Sequence, residues 1–247
     1  MSNVQGSHRR DNRSVLAGSE RRLLIAIARR LPPQISSDHL SLVALTAMVV
    51  AGAGFAAMRV TPWGAAVVAG ALAANWFGDS LDGTLARVRG HERPRFGYYV
   101  DHAIDLAGTV ALFVGLACST LISPLISVAV LAGYLLVCAE VYLATHAVGV
   151  FRMSNLGVGP TELRLLLITG AWFAAVHPAV YVPGLGAIRL FDIGGAVALV
   201  GFVGVFTTSA LRQTRHLYRL EPIPATPVPT LSRTAQPSPG SAQGGWA

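Results

Sequence analysis

The chain has 247 residues, 53% hydrophobic and only 13% charged, with a mean hydropathy of +0.54. Soluble globular domains carry about a quarter charged residues, so that class is excluded. The net charge of +7 and the pI near 10.2 come from arginine in loops and tails. Such a balance suits an anionic membrane leaflet and argues against nucleic acid as a partner.

Taken in chain order, residues 1–37 read as a cytoplasmic leader with an interfacial amphipathic helix. Between Arg21 and Leu31 the helical period puts Leu24, Ile27 and Leu31 on one side and Arg22, Arg29 and Arg30 on the other. The alternative is an unstructured basic leader. A cleavable signal peptide is not expected, because the first apolar stretch is short and is broken by arginines and Pro32-Pro33.

Residues 38–221 read as an all-α transmembrane domain of six helices. The apolar segments 40–58, 60–78, 97–121, 125–146, 163–182 and 193–211 each approach the length needed to cross a hydrocarbon core about 30 Å thick. Pro62 suits the first turn of a new helix, making spans one and two a tight hairpin. Seventeen of the 19 arginines then fall on one side, with only Arg59 and Arg189 opposite. Positive charge concentrates on the cytoplasmic side, so both termini are expected there. Residues 222–247, rich in proline, serine, glycine and threonine, read as a disordered cytoplasmic tail. Cys118 and Cys138 sit inside expected spans and read as packing residues.

Four aspartates interrupt this pattern at the cytoplasmic ends of spans two and three. Asp79 and Asp82 are three apart on one helix, and Asp101 and Asp105 are four apart on the next, so two carboxylate pairs can converge across the connection. Clustered anions repel unless a cation joins them, and an all-carboxylate set favours a hard ion, Mg²⁺ or Mn²⁺. Gly83 and Ala86 continue the first face with small surface, Arg87 adds a planar fork for phosphate, and Gly97 leaves clearance on the facing helix. Metals, a phosphate fork and a shallow floor describe a diphosphate site.

The string D-x2-D-G-x2-A-R-x9-G-x3-D-x3-D, from Asp79 to Asp105, resembles the signature of the CDP-alcohol phosphotransferases, integral membrane enzymes of phospholipid synthesis. That resemblance covers residues 20 to 220 and implies six transmembrane helices behind an interfacial helix, and a homodimer. It implies two Mg²⁺ or Mn²⁺ ions on Asp79, Asp82 and Asp101, with Asp105 as ligand or general base. Gly83, Ala86, Arg87 and Gly97 would surround the cytidine diphosphate. The implied reaction moves a substituted phosphate from a CDP-linked donor to an acceptor hydroxyl and releases CMP. Asp101-His102 with Asp105 gives D-H-x2-D, which resembles the choline and ethanolamine phosphotransferases and makes His102 a rival base or a hydrogen-bond donor to a ligand. The substrate reading therefore leans that way, with a CDP-diacylglycerol-dependent transferase using a small polar alcohol as the competitor.

Other polar residues are candidates for acceptor recognition. Glu140 lies within span four, where an acid is expensive unless used, and Glu162 and Arg164 open span five as an interfacial pair or as head-group contacts. His39, His177 and Asp192 read as interfacial. Two other accounts of the aspartates are a structural salt-bridge network and a cation transporter. The first does not require the small residues, and the second has only Glu140 and Asp192 to continue a path away from one membrane face. An arginine-rich, lysine-free composition abundant in alanine and glycine points to a GC-rich bacterial genome and hence to the inner membrane.

Overall fold

The protein is described by a computed structural model over residues 17–148, 160–177, 179–182 and 186–223. Within these residues the order is α1 (Ala17–Arg30), α2 (Ser37–Ala57), α3 (Gly64–Arg89), α4 (Pro94–Ala117), α5 (Pro124–Val148), α6 (Pro160–Val176), β1 (Ala179–Val182), β2 (Gly186–Arg189) and α7 (Leu190–Leu220). The start of the basic leader, nearly all of the tail expected to be disordered, and Arg152 lie outside the described residues.

Helix starts and stops follow local chemistry. Ser36 caps α2 reciprocally with His39: its hydroxyl accepts from the His39 N–H, and its own N–H donates to His39 Nδ1 at 3.1 Å. Helices α4, α5 and α6 each begin with proline, whose missing N–H is no loss in a first turn. Gly90 ends α3 at φ +66°, the left-handed region that favours glycine.

Helices α2, α4, α5 and α7 are long and apolar enough to cross a membrane. Helix α3 is not among them, because Asn75 and Asp79 interrupt its apolar run, nor is α6, which is short. The expected fifth span, 163–182, needs correction: the helix stops at Val176, and Ala179–Val182 instead pairs antiparallel with Gly186–Arg189. The sequence supplies the reason. His177 precedes Pro178, and a residue before proline is biased away from the helical region, after which Val180-Tyr181-Val182 favours a strand.

Helix α2 packs on both α3 and α4 through glycine. A Cβ on Gly52 would lie 2.5 Å from the Ala111 carbonyl oxygen, one on Gly78 2.7 Å from that of Leu40, and one on Gly115 would overlap the Gly52 backbone. Around these contacts Phe55, Val68, Leu72, Leu112, Leu116 and Ile122 form the main core. A second cluster docks α1: Leu24 and Ala28 are buried against Leu40, Leu81 and Leu85. Arg89 locks the following turn by donating to the carbonyls of Leu31, Pro32 and Ile35 at 2.9, 2.9 and 2.5 Å. The apolar period of the leader thus rests partly on protein, beside the end of α3 that carries the aspartates.

Candidate active site

Helix α3 continues past the expected membrane exit at Gly78 as far as Arg89, and α4 begins at Pro94, ahead of the expected entry at Gly97. Both aspartate pairs therefore stand on continuous helix. One carboxylate oxygen from each of Asp79, Asp101 and Asp105 lies within 4.8 Å of the others. The set is all oxygen and comes from two facing helices, which fits a hard divalent cation. A soft or tetrahedral nitrogen–sulfur site is not available from these donors.

Asp82 is not one of that close group. Its Oδ2 accepts from Ser41 Oγ at 2.7 Å, its Oδ1 from the Gly83 N–H at 2.5 Å, and its carbonyl from Ser37 Oγ at 2.9 Å. Burial pushes the Asp82 carboxyl up to about 6; the Ser41 and Gly83 bonds pull it back, and Asp101 and Asp79 push it further up. A cation in the cluster would act in the opposite sense.

Arg164 reaches Asp79 from α6, its Nη2 donating to Oδ2 at 2.7 Å. This contact joins residues 85 apart in sequence and links α6 to α3. Of Glu162 the structure describes the backbone in α6 and not the side chain. Arg87 folds back along α3: Nη2 donates to Thr84 Oγ1 at 3.2 Å, and a Cβ on Gly83 would lie 3.5 Å from its Nη1. Gly97 has open space in front of it. Ala86 lines a cleft of about 730 Å³ between α1 and α3, with Arg29, Ser36, Ser37, Arg89 and His91.

His102 lies against Tyr98, ring centroids 4.1 Å apart, and edge-on to Tyr142 of α5 at 5.6 Å. Its Nδ1 is 2.8 Å from the Tyr98 carbonyl, which can only accept, so Nδ1 is the donor in that contact. The Asp101 carboxylate is 3.7 Å from the same Nδ1. Glu140 is buried on α5 and accepts from Ser209 Oγ of α7 at 2.8 Å. That pair forms part of a cavity of about 550 Å³ lined also by Arg212, Gln213, Arg215, His216 and Arg219.

A family model described as CDP-alcohol phosphatidyltransferase matches residues 35–207, a stretch that contains every one of these aspartates. The chain belongs to the CDP-alcohol phosphatidyltransferase family. It is accordingly a transferase of phospholipid biosynthesis and a membrane protein. Among solved structures it is similar to the crystal structure of Mycobacterium tuberculosis phosphatidylinositol phosphate synthase (PgsA1) with CDP-DAG bound. Identity is 21%, the alignment covers 80% of this chain and 92% of that one, and the TM-score is 0.51. At this identity the likeness shows the fold of a family member. No curated protein matches the chain.

Sequence reasoning missed two groups at this site. Ser37 and Ser41, four apart on α2, have the spacing of one helix face, but nothing in the chain says that α3 is what they meet. The arginines after Ser209 read as a cytoplasmic charge cluster, whereas α7 continues to Leu220 and turns some of them toward α5.

Proposed function

We propose that this transferase moves a substituted phosphate from a CDP-linked donor to an acceptor hydroxyl, with release of CMP. One observation carries the reading: three carboxylates converge within 4.8 Å from α3 and α4, the two helices that also carry Arg87 and the uncrowded Gly97. Asp79, Asp101 and Asp105 would hold one or two Mg²⁺ or Mn²⁺ ions, with Asp82 braced behind them by Ser41. When bound, such ions neutralise the diphosphate and ease departure of CMP.

The chain's own groups do the rest. Arg87 offers its fork to a phosphate across Gly83, and the open face at Gly97 leaves room for the nucleotide. A carboxylate oxygen of Asp105 accepts the proton of the attacking hydroxyl. His102, next to Asp101 in the chain, is the alternative base.

For the donor we favour CDP-diacylglycerol with a small polar acceptor. The likeness to a synthase that holds CDP-DAG supports it, and so does the arginine-lined cavity at Glu140 and Ser209, which suits a polar or anionic alcohol better than diacylglycerol. The second reading puts choline or ethanolamine on CDP, and the D-H-x2-D arrangement at His102 favours it. Both place the active site at the cytoplasmic face of a bacterial inner membrane, in a homodimer.

The test is Mg²⁺-dependent CMP release by the purified protein from CDP-diacylglycerol, CDP-choline or CDP-ethanolamine, with native lipid extract and small alcohols as acceptors. Release from CDP-diacylglycerol that vanishes in Asp101→Asn is the expected result. Release from no donor by folded protein would overturn the transferase reading. If Asp105 is the base, Asp105→Asn costs more activity than His102→Ala; the opposite order moves the base to His102.

A further inference from the structure

The ion pair between Arg164 and Asp79 joins two elements with different jobs. Asp79 belongs to the convergent carboxylates, whereas Arg164 stands on α6, whose side chains take no other part in the cluster's described hydrogen bonds. Both side chains are largely withdrawn from solvent, 15% and 27% exposed, so water screens the pair weakly. Among the described residues Nη2 alone engages, and Oδ2 alone is taken. The other Asp79 oxygen has no hydrogen bond or ion pair among the described residues.

We propose that Arg164 is a positioning residue that serves as a built-in counter-charge for the acidic cluster, sharing Asp79 with the divalent cation. This rests on the cation reading of the site given above. Two consequences follow from charge alone. Without a cation, Arg164 offsets one of the converging carboxylates, so the helix ends of α3 and α4 are not driven apart. With a cation, its guanidinium opposes the ion across a shared carboxylate and holds affinity below what the acids alone would reach. The same contact fixes the Asp79 rotamer from outside its own helix, so the position of α6 sets the direction of one ligand oxygen.

The sign of the effect separates this role from a merely structural one. Loss of a packing contact can only weaken a metal site, whereas loss of a counter-charge strengthens it. Arg164→Gln keeps a donor near Asp79 and removes the charge; Arg164→Lys keeps the charge and gives up the planar fork.

The experiment is titration of the purified, full-length protein with Mn²⁺ alone, following free Mn²⁺ by electron paramagnetic resonance, with thermal unfolding in EDTA beside it. Arg164→Gln is expected to bind Mn²⁺ roughly tenfold more tightly than the parent, a factor that corresponds to modest relief of like-charge repulsion. Arg164→Lys is expected to stay within about twofold of the parent. In EDTA, Arg164→Gln should unfold at a lower temperature than the parent, and Mn²⁺ should close that gap. Equal or weaker Mn²⁺ binding by folded Arg164→Gln overturns the role of Arg164 while leaving the metal site intact. Failure of the parent itself to bind Mn²⁺ overturns the cation reading, and this inference with it. If Arg164→Gln is not recovered folded, Arg164→Met, which keeps the packing volume of the stem, is read by the same criteria.

Discussion

Helices α3 and α7 differ as much as two helices of one membrane protein can. Helix α3, with 26 residues, buries Gly64, Ala65, Val68, Ala71, Leu72, Asn75, Gly78, Leu81, Thr84 and Leu85, whereas α7, with 31, buries only Phe191 and Ser209. The first is gripped by α2 through backbone-to-backbone contact at Gly54, Gly64 and Gly78, and by the Asn75 side chain donating to the Ala44 carbonyl at 3.0 Å. The second turns Val197, Val200 and Val203 outward, as a lipid-facing helix does. Of the converging carboxylates, Asp79 sits on this gripped helix, and Asp101 and Asp105 sit on α4, which meets α2 just as closely at Gly52.

The sharpest way to break this contrast is chemical. Asp101→Asn should lower CMP release by at least about a thousandfold, with thermal unfolding in detergent little changed, because the group acts on the reaction rather than on the fold. Unchanged turnover would remove the aspartates from catalysis. The next attacks the grip itself. Gly115→Leu has to push α4 off the Gly52 backbone, and a cost of about 3 kcal/mol or more, read as loss of folded yield or a large drop in melting temperature, is expected.

A third prediction sharpens the view of Asp82 as a braced, buried acid. Its carboxyl is raised to about 6, so the folded protein binds the proton more tightly than the unfolded chain does. Stability from this group is therefore present at low pH and is lost as pH climbs from the unfolded value near 4 to the folded one near 6. In EDTA, Asp82→Asn should be about 1 to 3 kcal/mol more stable than the parent above about pH 6, with no gain at about pH 4, when melts are compared across that range. Ser41→Ala should be smaller, about 1 kcal/mol in stability, as one hydrogen bond to Asp82 is removed. On the open helix, Val200→Ala should shift stability by no more than about 0.5 kcal/mol. A large effect there would mean that α7 is covered in the assembled protein.

Much of the site was legible because its spacing is local. Asp79 with Asp82, and Asp101 with Asp105, are fixed on their helices by about 3.6 residues per turn, whatever surrounds them. Three of the four then meet across the two helices, while Asp82 is held by Ser41 instead. Arg164 shows the limit: its residue type announced a charge near the interface, but a partner 85 residues away is set by how α6 lies against α3. Glu140 shows the same limit. An intramembrane acid signalled use, while Ser209 as its donor depends on the packing of α5 on α7.

By itself the sequence determined that this is a helical membrane protein with two aspartate pairs, because apolar length, arginine placement and aspartate spacing are properties of neighbours along the chain; the transferase reading came through the family resemblance that those residues carry. Only the tertiary structure decided that Asp82 is held by Ser41 apart from the close trio, that α1 rests on Leu81 and Leu85, and that the fifth apolar segment breaks into a hairpin. Those outcomes depend on which helix faces meet. In a bundle where most faces are apolar, the small residues that permit close approach and the few polar atoms that need partners make that choice.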